Sequence, residues 1–176
     1  MKGSLLKIAC TIVLACSLLI SLTAFTVPDT TKAAPAGARN GLPQSATLTP
    51  THKNGAPATW TCPTYTQAWK YAATTIAGYG QTNCSVVMET IDMTEYAMYC
   101  QPVLWGCLWF NQGQIGSGCT FTNVAAGTSV FCPKKGVATW SKNIDPGELW
   151  AIQTYTCAYA SDATSACGGT QQDVQF

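Results

Sequence analysis

Charge is scarce in this sequence, and histidine almost absent. Charged residues are 10% of the 176-residue chain and the formal net charge is +1, where an ordinary soluble domain carries about 25% charged residues. A nucleic-acid surface requires clustered Lys and Arg, so no nucleic-acid partner is expected. A disordered chain combines low hydrophobicity with high net charge, and 47% hydrophobic residues exclude that for the whole. The single histidine, His52, leaves no His-activated nucleophile in the cysteine-rich part and no multi-His metal site. There is no G-x-S-x-G, the turn that presents a hydrolase serine. Beyond the N-terminal apolar segment the tightest cysteine spacing is Cys100 to Cys107, with six residues between them, too wide for the C-x₂-C pairs of a zinc site. Gly113-Gln-Ile-Gly-Ser-Gly118 lacks the Gly-Lys-Ser/Thr ending of a phosphate cradle and is taken as a loop. No cofactor and no metal are expected.

What the sequence has instead is order along the chain. Lys2 and Lys7 precede a charge-free run from Ile8 to Phe25, followed by small residues and Pro28. That is the arrangement of a secretory signal. Residues 1–26 are assigned to it, with cleavage anywhere up to Ala38, where Ala34-Pro-Ala36 and Ala36-Gly-Ala38 both offer small-residue sites. An uncleaved anchor is less favoured because Ser and Thr interrupt the run. A lipidated Cys16 is less favoured because the run continues past it. The expected location is extracellular, with no membrane contact once the signal is removed.

Residues 27–59 form a proline-spaced stretch containing Pro28, Pro35, Pro43, Pro50 and Pro57, without an aromatic residue or a cysteine. Such a composition buries little, so the stretch is read as a flexible linker or pro-segment. His52 lies on it.

Cys10 and Cys16 fall in the signal. The other eight are Cys62, Cys84, Cys100, Cys107, Cys119, Cys132, Cys157 and Cys167. An even number in an exported chain indicates a disulfide framework, here defining a domain over 60–169 with 170–176 as a C-terminal tail. Two pairings follow from local geometry. Cys119 with Cys132 would bridge a hairpin that sets Phe121 opposite Val130. Cys157 with Cys167 would close a short loop.

The fold expected is mostly β: a small, disulfide-stapled, sandwich-like domain with one short helix near its start. Thr64 and Gln67 have capping-box spacing, and Ala68, Trp69, Ala72, Ala73 and Ile76 recur at helical intervals. A helix is therefore predicted over Tyr65 to Ala77, ended by Gly78. The segments after it are rich in β-branched and aromatic residues, with turn residues at short intervals. Asp145-Pro-Gly-Glu148 fits a type II turn better than a helix cap.

Two groups of side chains are candidate sites. Glu89, Asp92 and Glu95 are spaced by threes. On a helix they would share a face, and on a strand pair Glu89 and Glu95 would face each other, as the paired carboxylates of a glycosidase do. The plainer reading is a solvated turn, and it is preferred. Trp105 and Trp109 are four apart, and on a strand they would share a face and make a stacking platform for sugar rings or an apolar partner. The plainer alternative is core tryptophan packed on the disulfides. Asn83-Cys-Ser85 has the form of a glycosylation sequon.

Taken together, the sequence favours a secreted, disulfide-stabilised binding module, not an enzyme, engaging a polysaccharide or a cell surface. A small hydrolase built on the carboxylates, or a secreted toxin, bacteriocin or inhibitor, are the alternatives.

Overall fold

A computed structural model describes residues 45–50 and 59–176. The expected signal, most of the expected linker, and His52 lie outside the described residues. Among the described residues nine strands follow in order: β1 Ser45–Leu48, β2 Cys62–Ala72, β3 Thr75–Asn83, β4 Met88–Val103, β5 Gly106–Val124, β6 Ser129–Cys132, β7 Ala138–Trp140, β8 Leu149–Ala160 and β9 Ser165–Gln175. They form two antiparallel sheets. One has the order β1-β2-β3-β6, with β7 also on β3; the other runs β5-β4-β8-β9. The mostly-β expectation holds.

There is no helix among the described residues, and the one predicted over Tyr65 to Ala77 is instead the β2–β3 hairpin. The reason is period-two burial: Cys62, Thr64 and Thr66 point inward while their neighbours are more exposed, and at Ala68 and Trp69 both faces are covered, by different apolar clusters. Gln67 does not reach back to a cap. Its Oε1 accepts the Tyr79 hydroxyl across the hairpin, where the two residues are register partners. Gly78, expected as a helix stop, marks a close approach between sheets. A Cβ there would stand 2.3 Å from the Gln67 carbonyl oxygen and 2.8 Å from Ile152 Cδ1. Tertiary packing has overridden local propensity.

Both boundaries of the domain also move. Ser45–Leu48, inside the expected linker, is an edge strand on β2. Leu48 joins the core and packs near Gly168. The expected tail 170–176 is largely strand: Thr170, Gln172 and Val174 are buried, and Phe176 exchanges backbone hydrogen bonds with Gly147 and Glu148 at 2.9 Å. The predicted turn is present, with Gly147 at φ 90° and Glu148 N–H donating to the Asp145 carbonyl at 3.3 Å.

Among the described residues four disulfides form: Cys62–Cys84, Cys100–Cys107, Cys119–Cys132 and Cys157–Cys167. Such bonds persist in oxidising compartments. Cys157 and Cys167 are direct register partners on β8 and β9. The Cys119–Cys132 pairing is as expected, but its setting is not. Cys119 is on β5 and Cys132 on β6, in different sheets. The bridge ties the sheets together and does not staple a hairpin, because β5 pairs with β4 and β6 with β3.

The core has two apolar ends. Trp60, Met88, Ile91 and Met93 belong to one, and Ala97, Trp150, Ile152 and Val174 to the other. Along each central strand the inward residues turn polar between those ends, at Thr66, Glu95, Thr154 and Thr170, all buried. Thr66 Oγ1 is 2.7 Å from Thr170 Oγ1 and accepts the Thr154 N–H at 3.3 Å. Gln172 Oε1 accepts the Ala68 N–H at 2.8 Å. A polar belt crosses the interior, largely satisfied as buried polar groups must be.

Candidate functional site

Two places carry side chains that the fold does not consume. The first is the β4–β5 hairpin. β4 pairs with β8 only as far as Tyr99, opposite Trp150. Beyond Tyr99, β4 pairs with β5 alone as far as Val103, opposite Gly106. The end of the hairpin is therefore a two-stranded arm, and Cys100–Cys107 staples it. Leu104 and Trp105 form its turn. Leu104 is fully exposed and Trp105 is 87% exposed. Gly106, at φ 133°, supplies the backbone freedom that closes so tight a loop.

Trp105 lies in the turn, so the strand geometry that would align it with Trp109 does not apply. Trp109 is half-buried and is the register partner of Cys100. The residues beside it alternate to the other face, where Leu108 and Phe110 are exposed. The exposed apolar set is thus Leu104, Trp105, Leu108 and Phe110. Spacing of tryptophans alone missed three of these four. A different feature of the sequence marks them: no charged residue lies between Glu95 and Lys134.

The second place is Glu95. The structure separates the three carboxylates. All are on β4, so Glu89 and Glu95 do not face each other across a hairpin. Glu89 is exposed, Asp92 is half-buried, and Glu95 is 2% exposed. Asp92 takes the outer face, where its Oδ1 accepts the Thr120 hydroxyl at 2.7 Å. Glu95, three residues on, points inward with Met93 and Ala97. The segment is the middle of a sixteen-residue strand and not the solvated turn that was preferred.

Glu95 Oε1 accepts the Gly80 N–H at 2.8 Å. Burial pushes its pKa up to about 8, against a smaller lowering by that hydrogen bond. It therefore keeps its proton at neutral pH, by burial alone. Beside it the β4–β5 register shifts between Met93 and Glu95, and the surplus β5 residues bow outward through Gly116 and Gly118, at φ 70° and 74°. The bow and the Cys119–Cys132 bridge border a cleft of about 300 Å³, lined also by Ser117, Lys135 and Thr139. Glu95 is the one carboxyl on its wall. It can offer a hydrogen bond or a proton there, but a second carboxylate, as used in paired glycoside chemistry, does not stand with it. No group of three or more His, Cys, Asp or Glu capable of holding a metal occurs among the described residues.

Asn83, the sequon asparagine, is half-buried and donates its Nδ2 to the Gly127 carbonyl at 3.0 Å. That amide is engaged in holding a loop.

Compared with protein-family models and with curated proteins, the chain matches none.

Proposed function

We propose that this protein is an exported binding module that engages a cell surface or its polysaccharide through the tip of the β4–β5 hairpin. The observation that carries the reading is Trp105, an indole left 87% exposed at the end of a disulfide-stapled arm. Large exposed apolar clusters on small domains mark interaction sites. A rigid arm also lowers the ordering cost of binding. The four disulfides suit a protein working outside the cell, and the signal-like N-terminus agrees with that. Glu95 alone gives a glycosidase only one of its usual two carboxyls, so the binding reading is preferred.

The test is co-sedimentation of the oxidised chain with insoluble polysaccharides, cell-wall fractions and whole cell envelopes. Trp105→Ala should lose binding to whichever matrix retains the parent, with the melting temperature unchanged. Retention of the Trp105→Ala variant equal to the parent's would remove the tip as the site.

A further inference from the structure

We infer that the partner of the hairpin tip is a lipid bilayer, into whose interface Leu104 and Trp105 insert. This inference rests on the proposal that the tip is the binding site, and it names the surface that tip fits.

The first argument is shape. From the Cys100–Cys107 bridge the strands run on to Val103 and Gly106. The turn lies three residues past Cys100 and one past Cys107, so at about 3.3 Å per residue it stands on average about 7 Å beyond the bridge. That reach matches the depth of roughly 5–10 Å at which interfacial segments sit in the headgroup and acyl boundary. The tip is convex, and a convex apolar wedge suits a deformable lipid surface.

The second argument is chemistry. The whole stretch between Glu95 and Lys134 is free of charge, so no ionised side chain opposes entry of the tip into a low-dielectric layer, and the exposed amide of Gln101 lies back from the turn, opposite Leu108. Leucine at the very end with tryptophan beside it places an aliphatic group deepest and an indole, apolar with one polar N–H, at the interface. Behind them Leu108 and Phe110 add exposed apolar surface, and then Asn111, Gln112 and Gln114 are exposed. That polar collar sets where insertion stops. A sugar platform would instead need a flat aromatic face with polar side chains around it. The most exposed residue here is leucine, which offers a sugar hydroxyl nothing.

The third argument is rigidity. The tip is held by a covalent bridge and by its own ladder, so little ordering remains when it meets a surface. Two turn residues anchor shallowly and do not span. Among the described residues no helix is long and apolar enough to cross a membrane. Contact through this arm would depart from the expectation of no membrane contact after signal removal.

The experiment is sedimentation of the chain with sucrose-loaded phosphatidylcholine vesicles. Leu104→Ala, Trp105→Ala and Trp105→Phe variants carrying the identical N-terminus serve as references, so that only the tip differs. The parent should partition onto neutral vesicles, and raising the salt from about 0.05 to 0.5 M should leave that unchanged, since no surface charge is involved. Each alanine variant should cut the partition coefficient about tenfold or more, the effect of removing one large buried apolar group. Trp105→Phe should retain most of it. Emission of the parent should shift to the blue, and brominated lipid should quench it through Trp105. Vesicle binding that is equal in parent and alanine variants, or that disappears at high salt, would overturn the inference. So would failure to bind vesicles. If that failure came with Trp105-dependent binding to wall polysaccharide, the tip would stand as the site and lipid would fall. If no matrix distinguished the variants, the tip itself would fall.

Discussion

Glu95 and Gly80 join the two sheets: the carboxyl on β4 accepts the backbone N–H of β3 at 2.8 Å, inside a core where the acid is 2% exposed. The contact explains why an acidic residue sits among inward-facing Met93 and Ala97. Neutral, with one oxygen engaged, it completes the polar belt. Ionised, it would be a buried charge without a counter-ion, and such charges are costly.

The pH dependence of stability follows with a definite sign. Folded Glu95 holds its proton to about pH 8, whereas an unfolded glutamic acid releases it near 4.5. Between those values folding takes up a proton, so stability falls as pH rises and levels off above about pH 8. The slope attributable to this group is roughly 1.4 kcal/mol per pH unit inside the window. Glu95→Gln keeps the acceptor for Gly80 and removes the titration. Denaturant unfolding at pH 5 and pH 8 should show the variant gaining on the parent as pH rises. Parallel pH profiles for the two proteins would show that Glu95 is ionised in the folded state.

Gly78→Ala should be strongly destabilising. The added Cβ would meet the Gln67 carbonyl at 2.3 Å, and backbone cannot move aside as a flexible side chain does. Overpacking of this kind costs about 1–3 kcal/mol, readable as a lower denaturant midpoint. By contrast Gly136→Ala has open space around its Cβ, but φ 70° makes it a strain-only comparison.

Thr154 offers a gain. Its Oγ1 is buried without a hydrogen-bond partner. Thr154→Val keeps the shape and deletes the unsatisfied hydroxyl, so stability should rise by about 1 kcal/mol. A loss of that size would place an ordered water on the hydroxyl.

The disulfides should separate into two kinds. Removing Cys119–Cys132 frees one sheet from the other and should cost about 3 kcal/mol in global unfolding. Removing Cys100–Cys107 loosens an arm that β8 does not support. Its expected signature is protease cleavage near Leu104 and faster amide exchange in the arm, with a smaller shift in melting temperature.

Several of the later strands and two of the four bridges were legible in the sequence because they rest on short-range signals. Cys119, Cys132, Cys157 and Cys167 lie close along the chain, and Asp145-Pro-Gly-Glu148 is turn chemistry that needs no tertiary help. The β2–β3 hairpin was not legible, because Ala68, Trp69, Ala72 and Ile76 match helical spacing by coincidence. What decides their state is the approach of Gly78 to Ile152, a contact between sheets. The burial of Glu95 was hidden for a related reason. Asp92-Met-Thr-Glu95 has the polarity of a turn, and only the second sheet, laid over β4 with Gly80 in place, makes it interior. Trp105 was legible as a binding candidate, but its partner was misassigned to Trp109. Spacing by four implies one face only within a continuous strand, and the turn at Leu104–Trp105 breaks it.

The most direct test of the account compares the parent with the double variant Leu104→Ala/Trp105→Ala in binding isotherms on native cell envelopes, with both proteins fully oxidised. The two side chains touch solvent, so folding and melting temperature should be the same. The account predicts saturable binding by the parent and a loss of at least about tenfold in affinity by the variant. Superimposable isotherms from two equally folded proteins would contradict it.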